Sequence, residues 1–165
     1  MSTSDDTQLV LSANEVHLLR QLSVQLLGLL EEGTDAVVER LFPRVIRSDA
    51  EEDRDARLLI HQDLMRERLA RLGEVLGVLD VDPGQPVDLV DDQPLLLMGV
   101  LNDLRLSLAV QSGLHSPAAD REELDDDGRQ MAALMDWLAW WQERILRLVD
   151  PDALRFYDEE SDLSA

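Results

Sequence analysis

Between residues 131 and 148 an apolar side chain falls at every third or fourth position: Met131, Leu134, Leu138, Trp141, Ile145 and Leu148. That spacing follows the 3.6-residue turn of an α-helix and not the two-residue period of a strand, and it gives the segment one stripe that has to be covered. The same step recurs elsewhere in the chain. Val16, Leu19, Leu22, Leu26 and Leu30 form one stripe; Leu58, His61, Met65, Leu69, Leu72, Leu76 and Leu79 form another; Leu97, Leu101, Leu104 and Leu108 form a third. Such stripes are buried only when helices pack on one another. The expected fold is therefore all-α, a bundle-like domain of four main amphipathic helices plus one short helix.

Punctuating residues set the expected boundaries. Residues 1–8 are polar and acidic and read as a disordered tail. Ser12 and Glu15 then form a capping box, in which each side chain satisfies the other's free backbone donor, and the helix it opens runs to about Glu31, before Gly33. Thr34 caps a short helix over residues 35–41, which Pro43 closes by disfavouring helical geometry at Phe42. A second capping box, Ser48 with Glu51, opens the longest helix, which reaches about Leu79. Residues 80–94 form the long connection; their Pro and Gly exclude helix, while 87–90 make a brief extended piece. Asp91 or Asp92 caps the next helix, with Pro94 in its first turn and Gly113 as its stop after Ser112. An acidic loop over 115–127 precedes the last main helix, 128–149. The expected organisation is one domain over 9–150, followed by a frayed turn and acidic tail over 151–165.

Composition narrows the function. The chain of 165 residues carries a formal charge of −20, and all 15 of its basic residues are arginine. A surface so negative repels phosphate backbones, and the densest arginine groups, Arg40/Arg44/Arg47 and Arg66/Arg68/Arg71, stand among acidic neighbours. DNA is therefore expected to be contacted at most indirectly, and a basic protein partner is the better electrostatic match. With no cysteine the chain carries no disulfide, thiolate metal site or thiol switch of its own. The sequence begins without a basic region and apolar stretch, and holds no charge-free apolar run of about 18 residues, so a cytoplasmic protein without a membrane segment is expected.

Two constellations stand out. The first is Asn102, Asp103 and Arg105 in the stretch LNDLRL, which interrupts an otherwise apolar helix. It reads either as a solvated flank with one side chain bonded across helices, or as a partly buried network in which Asp103 and Arg105 meet opposite charges on other helices. The second is WLAWW. Trp141 lies on the apolar seam, but Trp137 and Trp140 cannot both share it, so at least one is expected to be exposed or held in an interface. His17, His61 and His115 lack a glutamate three residues before them, as a di-iron bundle would require. Phosphate loops, nucleophile elbows and dinucleotide turns are also absent. The expectation is a protein that is not an enzyme, with no cofactor and no metal.

The segments LFPRVIRSDAEEDRDARLLIHQDLMRERL, LNDLRLSLAVQSGL and WLAWWQERILRLV, in this order and spacing, resemble an actinobacterial family of domains of unknown function that includes AosR, the actinomycete oxidative-stress regulator. The resemblance implies a transcriptional regulator of the redox response that acts through a protein partner such as a sigma factor or RNA polymerase component. It places Asn102, Asp103 and Arg105 in a family motif, expected to be a structural network. It places Trp137, Trp140, Trp141 and Gln142 in a second motif, with Trp137, Trp140 and Gln142 as the candidate partner interface. Genes of the family commonly adjoin that of the ClpS adaptor, which implies the alternative of an interaction adaptor in ClpS-dependent proteolysis. A homodimer in which a second copy completes the apolar seams is a further expectation.

Overall fold

The computed structural model describes residues 9–32, 51–112 and 125–152. In chain order these form strand β1 (Leu9–Leu11), helix α1 (Ala13–Glu32), helix α2 (Glu51–Val78), strand β2 (Val87–Leu89), helix α3 (Gln93–Ser112) and helix α4 (Asp126–Val149). The expected all-α, bundle-like domain is what is observed, with one small sheet added. The short helix over 35–41, the cap at Ser48, the stop at Gly113 and both tails lie outside the described residues.

Helix α3 is the centre, packing on α1, α2 and α4. Its expected stripe is its buried face: Leu97, Leu101, Leu104 and Leu108 are buried, joined by Val100. By length and composition α3 is apolar enough to cross a membrane. Its burial among the other helices, with an aspartate inside the contact, makes it the core helix of this domain. Helix α1 turns Val16, Leu19, Leu22, Leu26 and Leu30 inward, and α4 contributes Leu138, Trp141 and Ile145.

The capping box at the start of α1 forms as the sequence predicts: the Ser12 N–H donates to Glu15 Oε1 at 3.1 Å and the Glu15 N–H to Ser12 Oγ at 3.3 Å. Helix α4 starts two residues before the expected position, because Asp125 acts as its cap and accepts from the Gly128 N–H at 2.7 Å. At the start of α3 a side-chain bond comes from inside the helix, where Gln93 Oε1 accepts from the Val90 N–H at 2.9 Å.

The feature absent from the sequence reading is β1. It pairs antiparallel with β2 in the register Leu9↔Leu89, Val10↔Asp88 and Leu11↔Val87. Leu9, Leu11, Val87 and Leu89 point into the core while Val10 faces out, so the clasp ties the entry of α1 to the α2–α3 connection. The connection reverses at Pro83 and Gly84, where the Gln85 N–H donates to the Asp82 carbonyl at 3.1 Å. Gly84 has φ 85°, the left-handed value that the third residue of a type II turn needs.

Helix α2 departs most from expectation. Its 28 residues span about 42 Å, yet among its described side chains the buried ones, Leu72 and Val75, both lie in the carboxyl-terminal half. Leu58, which the periodicity places on a continuous buried seam, is 57% exposed, and Leu59, Ile60 and Leu64 are exposed beside it. The period assigned the helix correctly, but burial also requires a neighbour of matching length, and among the described elements α3 does not cover that half.

Truncation of the central stripe tests this arrangement. Leu101→Ala removes a fully buried side chain from the α3 contact and is expected to cost about 3 kcal/mol of unfolding free energy. Val24→Ala, at a position 53% exposed on α1, is expected to stay within about 0.5 kcal/mol. Urea denaturation of the two variants checks the contrast, and equal losses would contradict the burial pattern.

Candidate functional site

On a helix, residues two apart diverge by about 200°, so Asp103 and Arg105 flank the apolar stripe of α3 on opposite sides. Asp103 faces α2 and Arg105 faces α4. Leu104 lies on the arc between them and is buried, whereas Asn102 lies on the other arc and is exposed.

Asp103 is 2% exposed. Arg68 of α2 donates to its Oδ1, and Arg71, one turn further along α2, donates to its Oδ2 at 3.0 Å. Each carboxylate oxygen thus has its own guanidinium, and both arginine side chains remain partly exposed, at 22% and 32%. This geometry suits a buried carboxylate, because the charge is opposed and hydrogen-bonded while the excess positive charge keeps contact with water. Solvated-flank geometry is therefore not found at Asp103.

Gly99 belongs to the same arrangement. It lies one turn before Asp103, and a methyl group placed on it would stand 2.7 Å from Arg71 Nε and 2.8 Å from Cζ. The missing side chain lets the Arg71 guanidinium cross the surface of α3. Neither Gly99 nor the two arginines was singled out as structural from the sequence. The available signal was the spacing of Arg68 and Arg71, three apart and next to the seam residue Leu72, which puts them on one inward-turning face. Two members of the densest candidate basic group are consequently committed within the molecule, and Arg66 pairs with Asp63 at 3.3 Å.

Arg105 Nη1 donates to Gln142 Oε1 of α4 at 2.7 Å. Its partner is an amide rather than the opposite charge expected, and Gln142, a candidate interface residue, is occupied within the domain. Asn102, the third member of the motif, takes no part in either bridge. Two of the three motif residues thus reach two of the three helices packed on α3.

The tryptophans of α4 divide by face. Trp141 is fully buried, Trp137 is partly buried, and Trp140 is 50% exposed. Trp141 meets both others edge to face, with ring centroids 6.3 Å from Trp137 and 5.2 Å from Trp140. Outside them, the Arg144 guanidinium lies 5.4 Å from the Trp140 ring and 4.9 Å from that of Trp141. The result is an exposed indole held in place from beneath by a buried one and flanked by a cation. Pre-set aromatic and arginine surface of this kind is characteristic of protein-binding hot spots.

No group of three His, Asp or Glu side chains comes together as metal ligands among the described residues. The cleft between the start of α1 and the 80–85 turn is lined by Asn14, His17, Arg20, Asp82 and Gln85, and Arg20 in it bridges to Asp80 at 3.0 Å.

The fold and site together are those of an all-α domain held by a central Arg–Asp–Arg bridge, with an exposed aromatic platform on its outer helix. Its family is shown by sequence: the pattern of the family described as domain of unknown function (DUF2017) matches residues 1–149, and the chain belongs to that family. No curated protein and no solved structure matches the chain.

Two substitutions probe the bridge. Asp103→Ala leaves two arginines facing one another at a partly buried contact and is expected to cost about 3 kcal/mol, read by urea denaturation. Gly99→Ala is expected to depend on Arg71. In the natural background its methyl displaces the guanidinium, whereas with Arg71→Ala it gains up to about 1 kcal/mol of helix propensity. A double-mutant cycle showing simple additivity would rule out the close approach.

Proposed function

We propose that this domain is a non-enzymatic regulator of transcription in the oxidative-stress or redox response, acting in the cytoplasm by docking on a protein partner such as a sigma factor or RNA polymerase component. The regulatory role and the class of partner come from the resemblance to the actinobacterial family that includes AosR. The observation that carries the docking is the half-exposed Trp140, set edge to face against the buried Trp141 and flanked by Arg144.

Electrostatics supports contact with protein rather than DNA. At −20 the chain favours a basic partner surface, and Arg68 and Arg71 neutralise Asp103 inside the molecule. A partner in the transcription machinery then supplies whatever basic surface meets the promoter. With no cysteine in the chain, the redox signal reaches it by a route other than its own thiols. The Asp103 and Arg105 bridges serve this reading as the frame that holds α4, and with it Trp140, against α3.

The second reading, an adaptor in ClpS-dependent proteolysis, uses the same exposed platform and differs in what binds it. Affinity capture of the tagged full chain from lysate of its own organism, with and without nuclease, separates the two. A sigma factor or polymerase subunit that persists after nuclease treatment supports the regulator. ClpS or protease subunits in its place would transfer the assignment to the adaptor. For the captured partner, Trp140→Ala is expected to leave the melting temperature within a few degrees and weaken binding by about tenfold or more. Unchanged affinity in the folded variant would remove Trp140 from the interface.

A further inference from the structure

The amino-terminal half of α2 carries a face that no other described element covers. Leu58 and Leu59 are 57% and 63% exposed, and a groove along the same side is lined by Gln62, Met65, Arg66 and Leu69. Asp55 and Arg66 bracket this face. They are eleven residues apart, three helical turns, and so lie on one line along the helix with Leu58 and Leu59 to either side of it. Both are exposed; Arg66 pairs at the surface with Asp63, a type of contact that is easily exchanged.

The charge order over this stretch is self-complementary. Asp55 and Arg66 stand the same number of residues to either side of the midpoint between Ile60 and His61. In an antiparallel pair of α2 helices related by a two-fold axis between Ile60 and His61, position 55 of each copy stands opposite position 66 of the other. The leucines then occupy the middle. Most of a surface carrying −20 would repel a second copy of itself. Along this face the exposed charges at its two ends, Asp55 and Arg66, are of opposite sign, and each meets the other's counterpart in this register.

We propose that the amino-terminal half of α2 is a homodimer interface whose occupant is the same face of a second copy, antiparallel, with Asp55 meeting Arg66 of the partner subunit twice across the axis. The face is short. Two copies of it reach only about the 1,200 Å² lower edge of specific interfaces, so the dimer is expected to dissociate in the micromolar range. This inference is independent of the partner assigned to Trp140, which lies on α4.

Sedimentation equilibrium of the full chain tests it. At tens of micromolar the expected mass is twice the 18.6 kDa of one chain. Leu59→Glu is expected to give the monomer mass at the same concentration with an unchanged circular-dichroism melt. Asp55→Arg or Arg66→Asp alone is expected to weaken association roughly tenfold, since each like-charge contact appears twice, and the double exchange to restore it. A wild-type monomer at those concentrations, a Leu59→Glu dimer, or a double exchange that fails to recover association would overturn the proposal.

Discussion

A carboxylate buried between helices has to bring its counter-charges with it, and in this domain that requirement falls on Asp103. Its burial at the α2–α3 contact is compatible with folding only when Arg68 and Arg71 are aligned one turn apart on α2 and Gly99 leaves room on α3. Apolar packing alone tolerates sliding of one leucine stripe along another. A carboxylate with one guanidinium on each oxygen does not, because a shift of one turn leaves a charge without a partner. The bridge therefore assigns the register of α2 against α3, and the Arg105–Gln142 bond does the same for α4 from the other side.

With α3 pinned on both flanks, the two outward-facing features follow. On α4, the inward Trp141 supports Trp140 at a fixed angle on the surface. On α2, the bridge lies near the end of the packed half, and the helix continues past it with apolar side chains and no covering neighbour among the described elements. One helix thus serves two purposes along its length, as part of the core after Arg68 and as exposed surface before it.

Much of this was legible in the residues. The four stripes, the Ser12–Glu15 box and the Pro94 start all express local rules, since period and capping depend on neighbours within one or two turns. Trp141 in the core follows from its place on the seam, and the angles between helical positions require at least one of Trp137 and Trp140 to leave it, without saying which. Non-local pairings were not legible. β1 is three residues long and exists because β2, far along the chain, lies beside it. The arginine partners of Asp103 are more than thirty residues away in the chain, and charge spacing alone left them as easily a candidate basic surface. Gln142 read as surface because nothing in its own segment announces Arg105.

The sequence by itself determined an all-α domain, where its helices run, and which face of each is apolar, because helical period and end-capping are properties of contiguous residues. Tertiary structure alone decided which of those faces found a neighbour and which polar residues were spent on one another. The apolar seam of α2 is continuous in sequence but buried over only half its length, and Asp103 is a core residue rather than a flank, because burial depends on what other segments bring alongside.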